Sequence, residues 1–257
     1  MSGVFLSKQY AMPYYIAEID KNIYSIEELS YYLYHYLPIV ERDFFCDELV
    51  DYIEQVLGMK MIGNRMREYI HQRGTLADLV LLTVKSTDYF DEIEILALQK
   101  RLDERKKMSP AGLALDKAEA FVKLGKYGQA VETYKVCLTK GQEEKAGEDF
   151  FSQIHCRLGS VYGKMLRFEE AEDAYRQSMI IKANKEAQMK MVLLLLIQGR
   201  EAELPVYIKA FNLSEPQVRE CERQYGRARQ TYLQTKPREM KDLAEMKANY
   251  RRENGYH

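Results

Sequence analysis

LGSVYGKMLRFEEAEDAY, the stretch from Leu158 to Tyr175, carries the pattern from which we predict the fold of this chain. Apolar residues recur at helical spacing on both sides of a short break, so the stretch predicts a hairpin of two helices. Gly159 and Ala171 are small enough to let those helices approach closely. Aromatic residues, among them Tyr162 and Phe168, fill the gaps beside them. The chain around this hairpin is therefore expected to be helical.

A second copy of the pattern lies upstream and aligns with the first without gaps. In this alignment Ala130 matches Ala171 and Tyr134 matches Tyr175, at a distance of 41 residues. Gly125 stands where the first helix of the upstream copy must stop and turn, because glycine adopts the backbone conformations that tight turns require. Two copies in register indicate an internal repeat of helical hairpins.

These residues resemble the tetratricopeptide repeat, which has Leu-Gly and an aromatic on its first helix, then Ala and an aromatic on its second. The downstream copy has L-G-x-x-Y at 158–162 and F-x-x-A-x-x-x-Y at 168–175, and the upstream copy keeps G-x-Y-x-x-A-x-x-x-Y at 125–134. The chain contains no Trp, so the family's Trp is missing from both copies. The resemblance implies an all-α solenoid of helical hairpins that binds another protein.

The spacing departs from the family period of about 34 residues. The polar stretch 140–147 holds the excess between the first two copies, either as a longer loop or as longer helices. Ala171 to Leu204 is 33 residues, which predicts a degenerate third hairpin over about 184–211 with Gly199 at its turn. Helices beyond the last hairpin of such an array cover an apolar face that would otherwise be exposed.

The chain accordingly divides into four predicted segments. A Tyr-rich arm or short strand comes first, a helical region follows, the repeat array occupies the centre, and a capping helix with a charged tail ends the sequence. The bounds are 1–24, 25–108, 109–211 (hairpins at about 109–142, 150–183 and 184–211) and 212–257.

Local signals mark the starts of helices, most of them outside the array. Ser25 opens a capping box with Glu28, and the helix that follows carries Leu29, Leu33, Tyr36, Leu37 and Val40 on one face. Further helices are predicted over 43–57, 60–72, 75–84 and about 88–107. Ser109 caps a helix with Pro110 in its first position. Ser214 caps another, with a stripe of Val218, Cys221, Tyr225, Ala228 and Tyr232, and 237–252 is predicted as a surface helix or a frayed tail.

Composition narrows the class of protein. A net charge of -1 provides no general attraction to nucleic acid or to anionic lipid. The longest apolar run, 192–197, is far shorter than the roughly 20 residues that span a bilayer. The N-terminus, MSGVFLSKQYAMPYY, shows no signal peptide, and four scattered cysteines without a CxxC pair indicate reduced thiols. We expect a cytoplasmic protein without membrane insertion, nucleic acid, metal or cofactor, in which homo-oligomerisation is possible.

A polar stripe on the first helix of the downstream hairpin is the predicted binding site. Gln153, Arg157, Ser160 and Lys164 share one helical face, opposite an apolar face. The resemblance implies that this side lines the concave groove in which peptides bind, and the same alignment adds Glu119, Lys123 and Lys190. The cations suit an acidic or carboxylate-ended peptide. The alternative is that they are ordinary solvated charges. No Asn stands where the chaperone-tail type of groove has one.

The N-terminal tyrosines are a second candidate surface, because Tyr offers a large contact area with a polar tip. Several of them fall on an apolar helical face and are expected in the core. Tyr31 and Tyr34 lie off that face and are the better interface candidates.

Motifs of catalysis are not apparent in the sequence. It contains no Gly-rich phosphate loop, HExxH, GxSxG or EF-hand pattern. His155 and Cys156 are adjacent, but neighbouring residues on a helix do not face each other. We therefore expect a non-enzymatic adaptor that binds a protein or peptide. The alternative is a regulator whose helical packing changes when a peptide binds.

Overall fold

The computed structural model describes residues 12–235, and within them the chain forms twelve α-helices and one two-stranded sheet. About 75% of the structure is helical and its helices pack in adjacent pairs, which confirms the predicted all-α, solenoid-like repeat fold. The chain divides into two compact units between Ile154 and His155. Residues 1–11 and the tail predicted over 237–252 lie outside the described residues. No helix of residues 12–235 has the length and apolarity needed to cross a membrane.

The first unit begins with a small hairpin in which β1 (Tyr14–Ile16) pairs antiparallel with β2 (Lys21–Ile23). Each strand has three residues, too few to show an alternating pattern in the sequence. The hydroxyl of Tyr15 donates to the carboxylate of Asp20, which lies in the turn with a positive φ of 54°. Asp tolerates this left-handed conformation better than most residues do.

Helix α1 (Ile26–His35) begins at the predicted cap, where the Ser25 hydroxyl accepts from the backbone N–H of Glu28. The Glu28 carboxylate reaches the N–H of Tyr24 rather than that of Ser25, so the predicted capping box is only half formed. The helix also ends earlier than predicted. A 3-10 turn, Leu37–Ile39, replaces its continuation, because Pro38 lacks an N–H and disfavours the α conformation in the residue before it.

Four further helices complete the N-terminal region: α2 (Asp47–Asp51), α3 (Lys60–His71), α4 (Leu76–Val84) and α5 (Glu92–Lys107). The single helix predicted over 43–57 is wrong. A 3-10 turn precedes α2, Cys46 is extended, and the chain continues from α2 as one π-helical segment, Tyr52–Val56. Helix α5 starts at Glu92 rather than near 88, because Asp91 caps it with a full capping box.

Aromatic side chains form the core beneath α1. The ring of Tyr32, 1% exposed, lies 5.2 Å from that of Phe44, and Tyr14 lies 5.3 Å from Tyr52. The hydroxyl of Tyr52 donates to the carbonyl of Ile23, which connects this core to the hairpin. Tyr32 lies with Leu29 on the buried face of α1, in agreement with the expectation that several of the N-terminal tyrosines belong to the core.

Two arginines of α5 hold the end of α1 in place. Arg101 donates to the carbonyl of Tyr34, and Arg105 donates to the carbonyls of Pro38 and Val40. The Tyr34 carbonyl lies in the last turn of α1, and those of Pro38 and Val40 lie in and just after the 3-10 turn. Backbone acceptors at such ends have no helical donor of their own. The Arg105 side chain is only 11% exposed, so the bonds are shielded from water.

The repeat region consists of consecutive helices, and α8 contains the division between the two units. Their bounds are α6 (Pro110–Lys123), α7 (Tyr127–Glu143), α8 (Glu148–Lys164), α9 (Phe168–Ile181), α10 (Lys185–Ile197), α11 (Leu204–Ala210) and α12 (Glu215–Thr235). Ser109 caps α6 as predicted, accepting from the N–H of Gly112.

The extra residues between the first two hairpins lengthen the helices rather than the loop. Helices α7 and α8 have 17 residues each, against 14 in α6 and in α9. Gly141, within the stretch considered for a loop, is buried in α7, and a β-carbon there would lie 2.5 Å from Cε1 of Phe150. The close packing of these two residues explains why a glycine stands inside the helix.

The hairpin turns share one backbone conformation. Gly125, Leu166 and Gly199 follow the first helices of the three hairpins and have φ values of 72°, 59° and 70°. This left-handed conformation closes the end of a helix, and glycine adopts it without strain. The second turn therefore places a leucine where the other two place a glycine.

The core of the second unit lies on both sides of α10. One cluster joins Met191 to Ala171 and Tyr175 of α9. The other joins Val192 to Cys221 of α12. Helix α10 is consequently apolar nearly all round, whereas α12 has a single apolar stripe. The helix predicted to begin after Ser214 therefore covers the side of α10 that faces away from α9.

Candidate binding surface on α8 and α10

The predicted groove residues fall on three helices of two units. Glu119 and Lys123 lie on α6 and Gln153 on α8, all in the first unit; Lys123 and Gln153 are exposed. The second unit contains the rest, which we name the α8–α10 surface. It consists of Arg157, Ser160 and Lys164 of α8 and Lys190 of α10.

Ser160 is the centre of the α8–α10 surface. Its hydroxyl oxygen accepts a hydrogen bond from the ammonium of Lys190 at 2.8 Å, although 30 residues separate the two along the chain. The same hydroxyl donates to the carbonyl of Cys156 at 2.9 Å, a bond within α8. The hydroxyl of Tyr175 completes the group at 3.5 Å. Helices α8, α9 and α10 thus place polar groups side by side.

Lys190 also forms an ion pair with a carboxylate of its own helix. Its ammonium lies 2.5 Å from Oε1 of Glu186, one turn earlier on α10. The Lys190 side chain is 30% exposed and that of Glu186 is 68% exposed. An exposed pair of this kind contributes little to stability. The pair therefore offsets the positive charge of the surface without being needed for the fold.

Tyr175 forms the floor below Ser160. The ring is 5% exposed and packs against Gly159, where the absence of a side chain leaves room for it. Burial raises the pKa of the Tyr175 hydroxyl to about 12, although its bond to Ser160 acts in the opposite direction. The hydroxyl is consequently neutral at physiological pH and serves as a hydrogen-bonding group. The sequence indicated Tyr175 only as a core aromatic.

The neighbouring pair His155 and Cys156 does not have the properties of a catalytic dyad. Cys156 is 2% exposed, and burial raises the pKa of its thiol to about 11. Burial also lowers the pKa of His155. A reactive cysteine needs the opposite, an exposed thiol with a depressed pKa. This thiol is a packing group in the core of α8, α9 and α10.

The two tyrosines proposed as a second interface make contacts within the first unit. The ring of Tyr34 stacks on Phe90 at 4.4 Å, and the guanidinium of Arg101 lies 5.4 Å from its centroid. The ring of Tyr31 lies 4.1 Å from that of His35. Both tyrosines are half-buried, and their role as an interface stays a prediction.

A polar network that the sequence did not indicate connects α9 to the third hairpin. The carboxylate of Glu172 accepts from Arg176 at 2.6 Å and from Arg200 at 2.8 Å. Arg176 also donates to the hydroxyl of Tyr207, and Arg200 forms two bonds to Glu203. The sequence shows the short spacings from Glu172 to Arg176 and from Arg200 to Glu203. It does not show the link from Glu172 to Arg200, because that link depends on how the helices pack.

Similarity to known proteins is local. A protein named as a STIP1 homolog from Dictyostelium discoideum is 30% identical to this chain over 76 residues. The match covers 30% of this chain and 14% of that protein, so the chain spans a small part of its relative's length. No protein-family model and no solved structure matches the chain.

Proposed function

We propose that this chain is an adaptor that binds a peptide segment of another protein on the α8–α10 surface. The observation that carries the proposal is the contact between Ser160 and Lys190, which joins the polar faces of two successive hairpins. The local similarity to the STIP1 homolog is compatible with a tetratricopeptide array. Such arrays bind peptides through extended surfaces built from adjacent repeats.

The charges of the surface favour an acidic or carboxylate-ended segment. Arg157 and Lys164 lie on the same stripe of α8 as Ser160, and a carboxylate forms its stronger hydrogen bonds with cationic donors. In the free protein Glu186 pairs with the ammonium of Lys190. In this proposal a carboxylate of the partner displaces Glu186 from Lys190. Glu186 then acts as an internal competitor for the ligand.

Charge variants of the surface test this proposal. Partners are captured from native cells with the full chain, identified, and their acidic segments are titrated as synthetic peptides. We expect Arg157→Glu plus Lys164→Glu to weaken binding at least about tenfold, and Glu186→Gln to strengthen it by removing the competitor. Lys209→Glu is the matched control, because Lys209 is an exposed cation on α11, outside the surface.

Either of two results would contradict the proposal. The first is that the Arg157→Glu plus Lys164→Glu variant binds every captured partner as well as the native chain does. The second is that the Lys209→Glu control loses as much binding as this double variant. Binding should also weaken steeply as salt is added, because the attraction is between exposed charges. The assignment of Glu119, Lys123 and Gln153 to the groove stays a prediction from the sequence. The alternative, in which a bound peptide changes the helical packing, also stays a prediction.

A further inference from the structure

Leu166 combines two unfavourable features that its neighbours in the fold do not explain. Its φ of 59° lies in the left-handed region, which costs a residue with a β-carbon more than it costs glycine. Its side chain is 73% exposed, so burial of apolar surface does not offset that cost. The equivalent turns use Gly125 and Gly199. A leucine held in such a conformation indicates a role outside the stability of the fold.

Leu166 lies at the edge of a concave surface, which we name the turn cleft. A cavity of about 650 Å³ is formed by the turn between α8 and α9 together with the turn after α10. Its lining includes Leu166, Phe168 and Glu169 on one side and Gln198 and Arg200 on the other. This volume is in the range of pockets that hold small ligands or the side chains of a peptide. No residue of the α8–α10 surface lines it.

The cations at the turn cleft are already neutralised by carboxylates of the protein. Arg167 pairs with Glu170 at 2.5 Å, and its guanidinium lies 5.0 Å from the centroid of Tyr162. Arg200 pairs with Glu172 and with Glu203. Within residues 12–235, the side chain of Glu169 is exposed and makes no ion pair or hydrogen bond. The cleft therefore presents an unpaired carboxylate close to an exposed leucine.

We propose that the turn cleft is a second protein-binding surface, which takes a segment with an apolar side chain next to a Lys or Arg. Leu166 contacts the apolar side chain, and Glu169 pairs with the cation. Burial of Leu166 against the partner would remove its apolar surface from water, which is the gain that the free protein lacks. This surface is distinct from the α8–α10 surface, for which we propose the opposite charge preference.

Selection from a phage-displayed library of random short peptides tests the proposal on the full chain. We expect enriched peptides that place Lys or Arg beside an apolar residue. Leu166→Gly should weaken their binding at least about tenfold and at the same time raise the melting temperature, because it removes the contact and the strain together. Leu166→Asn should weaken binding similarly, since Asn tolerates the same backbone conformation and is polar. Glu169→Lys should also weaken it.

Lys190→Ala separates this proposal from that of the α8–α10 surface. Peptides bound in the turn cleft should bind Lys190→Ala as they bind the native chain. Enriched peptides that bind Leu166→Gly and Glu169→Lys with native affinity would overturn the proposal, whatever the result for the other surface. A library that yields no peptide with adjacent basic and apolar residues would overturn it as well.

Discussion

Gly159 lies so close to the ring of Tyr175 that a β-carbon on residue 159 would stand 2.5 Å from Cε1 of the tyrosine. Both residues are buried, Gly159 on α8 and Tyr175 on α9. The aligned pair in the first hairpin, Ala118 and Tyr134, is also buried but uses an alanine in place of the glycine. The second hairpin therefore has no room for the methyl group that the first hairpin carries at the aligned position.

Gly159→Ala should destabilise the protein by about 1–3 kcal/mol, because the added methyl group forces the ring or the backbone to move. Denaturant unfolding measures this. Gly163→Ala is the matched control in the same helix, since nothing lies within 4 Å of its added β-carbon. Gly163→Ala should stabilise the protein by up to about 1 kcal/mol, because alanine has a higher helix propensity than glycine. Equal effects of the two substitutions would show that the packing against Tyr175 is not close.

The left-handed turns predict opposite effects at aligned positions. Leu166→Gly should stabilise the protein by roughly 0.5–1 kcal/mol, and Gly125→Ala should destabilise it by about 1 kcal/mol, although nothing stands within 4 Å of the added β-carbon. Gly128→Ala, three residues further along in α7, has the same open space without the positive φ and should not destabilise. Thermal unfolding distinguishes them. If Leu166→Gly lowered the melting temperature, the inference that the backbone is strained at Leu166 would be wrong.

The bonds of Glu172 should make the free energy of unfolding depend on pH in the acid range. Burial raises the pKa of Glu172, but its bonds to Arg176 and Arg200 outweigh this and hold the pKa below its ordinary 4.5. A carboxyl group with a depressed folded pKa contributes stability above that ordinary value, and the contribution is lost as the pH falls through the folded pKa.

Glu172→Gln should therefore lower the free energy of unfolding by about 1–3 kcal/mol at neutral pH. The difference in this free energy between the variant and the native chain should become smaller below pH 4.5. Unfolding at a series of pH values tests this. Glu169→Gln, an exposed carboxylate without a bond among the described residues, should change stability by less than about 0.5 kcal/mol. If Glu172→Gln lowers the free energy of unfolding by the same amount at every pH, the protonation of Glu172 is not linked to folding.

Arg105 should stabilise the 3-10 turn that follows α1. Arg105→Met keeps the length of the side chain but leaves the carbonyls of Pro38 and Val40 without their donors. We expect a loss of about 2–3 kcal/mol in the free energy of unfolding. The control is Lys100→Met on the same helix. Lys100 is 80% exposed and pairs weakly with Glu104, so its loss should cost less than about 0.5 kcal/mol.

The four thiols should differ sharply in reactivity. Cys137, Cys156 and Cys221 are buried, whereas Cys46 is only half-buried. Burial raises the pKa of Cys137 and Cys156 to about 11 and raises that of Cys221. Thiolates react and thiols do not, so a disulfide reagent at neutral pH should label Cys46 first. Rapid labelling of a second thiol in the folded protein would show that the core opens.

Local signals were sufficient to predict where many helices begin. Ser25 and Ser109 accept from backbone N–H groups of their own helices, as their positions in the sequence predicted. Apolar periodicity and the glycine at 125 likewise marked the first hairpin. These signals act within one helical turn, so they can be recognised from neighbouring residues alone. Pro38 also acts locally, since it ends α1 before Leu37 and Val40, which the apolar periodicity assigns to the same helix.

The candidate sites depend on contacts between helices that are distant in the sequence. The repeat alignment predicted that Ser160 and Lys190 point the same way, but only the packing of α8 and α10 brings them to 2.8 Å. The gapless alignment pairs Leu166 with Gly125, but only the structure shows that this leucine adopts the left-handed backbone conformation. Helix positions follow from short-range hydrogen bonding and periodicity. Side-chain partners and backbone strain are decided by tertiary packing, because they depend on where each separate helix comes to lie.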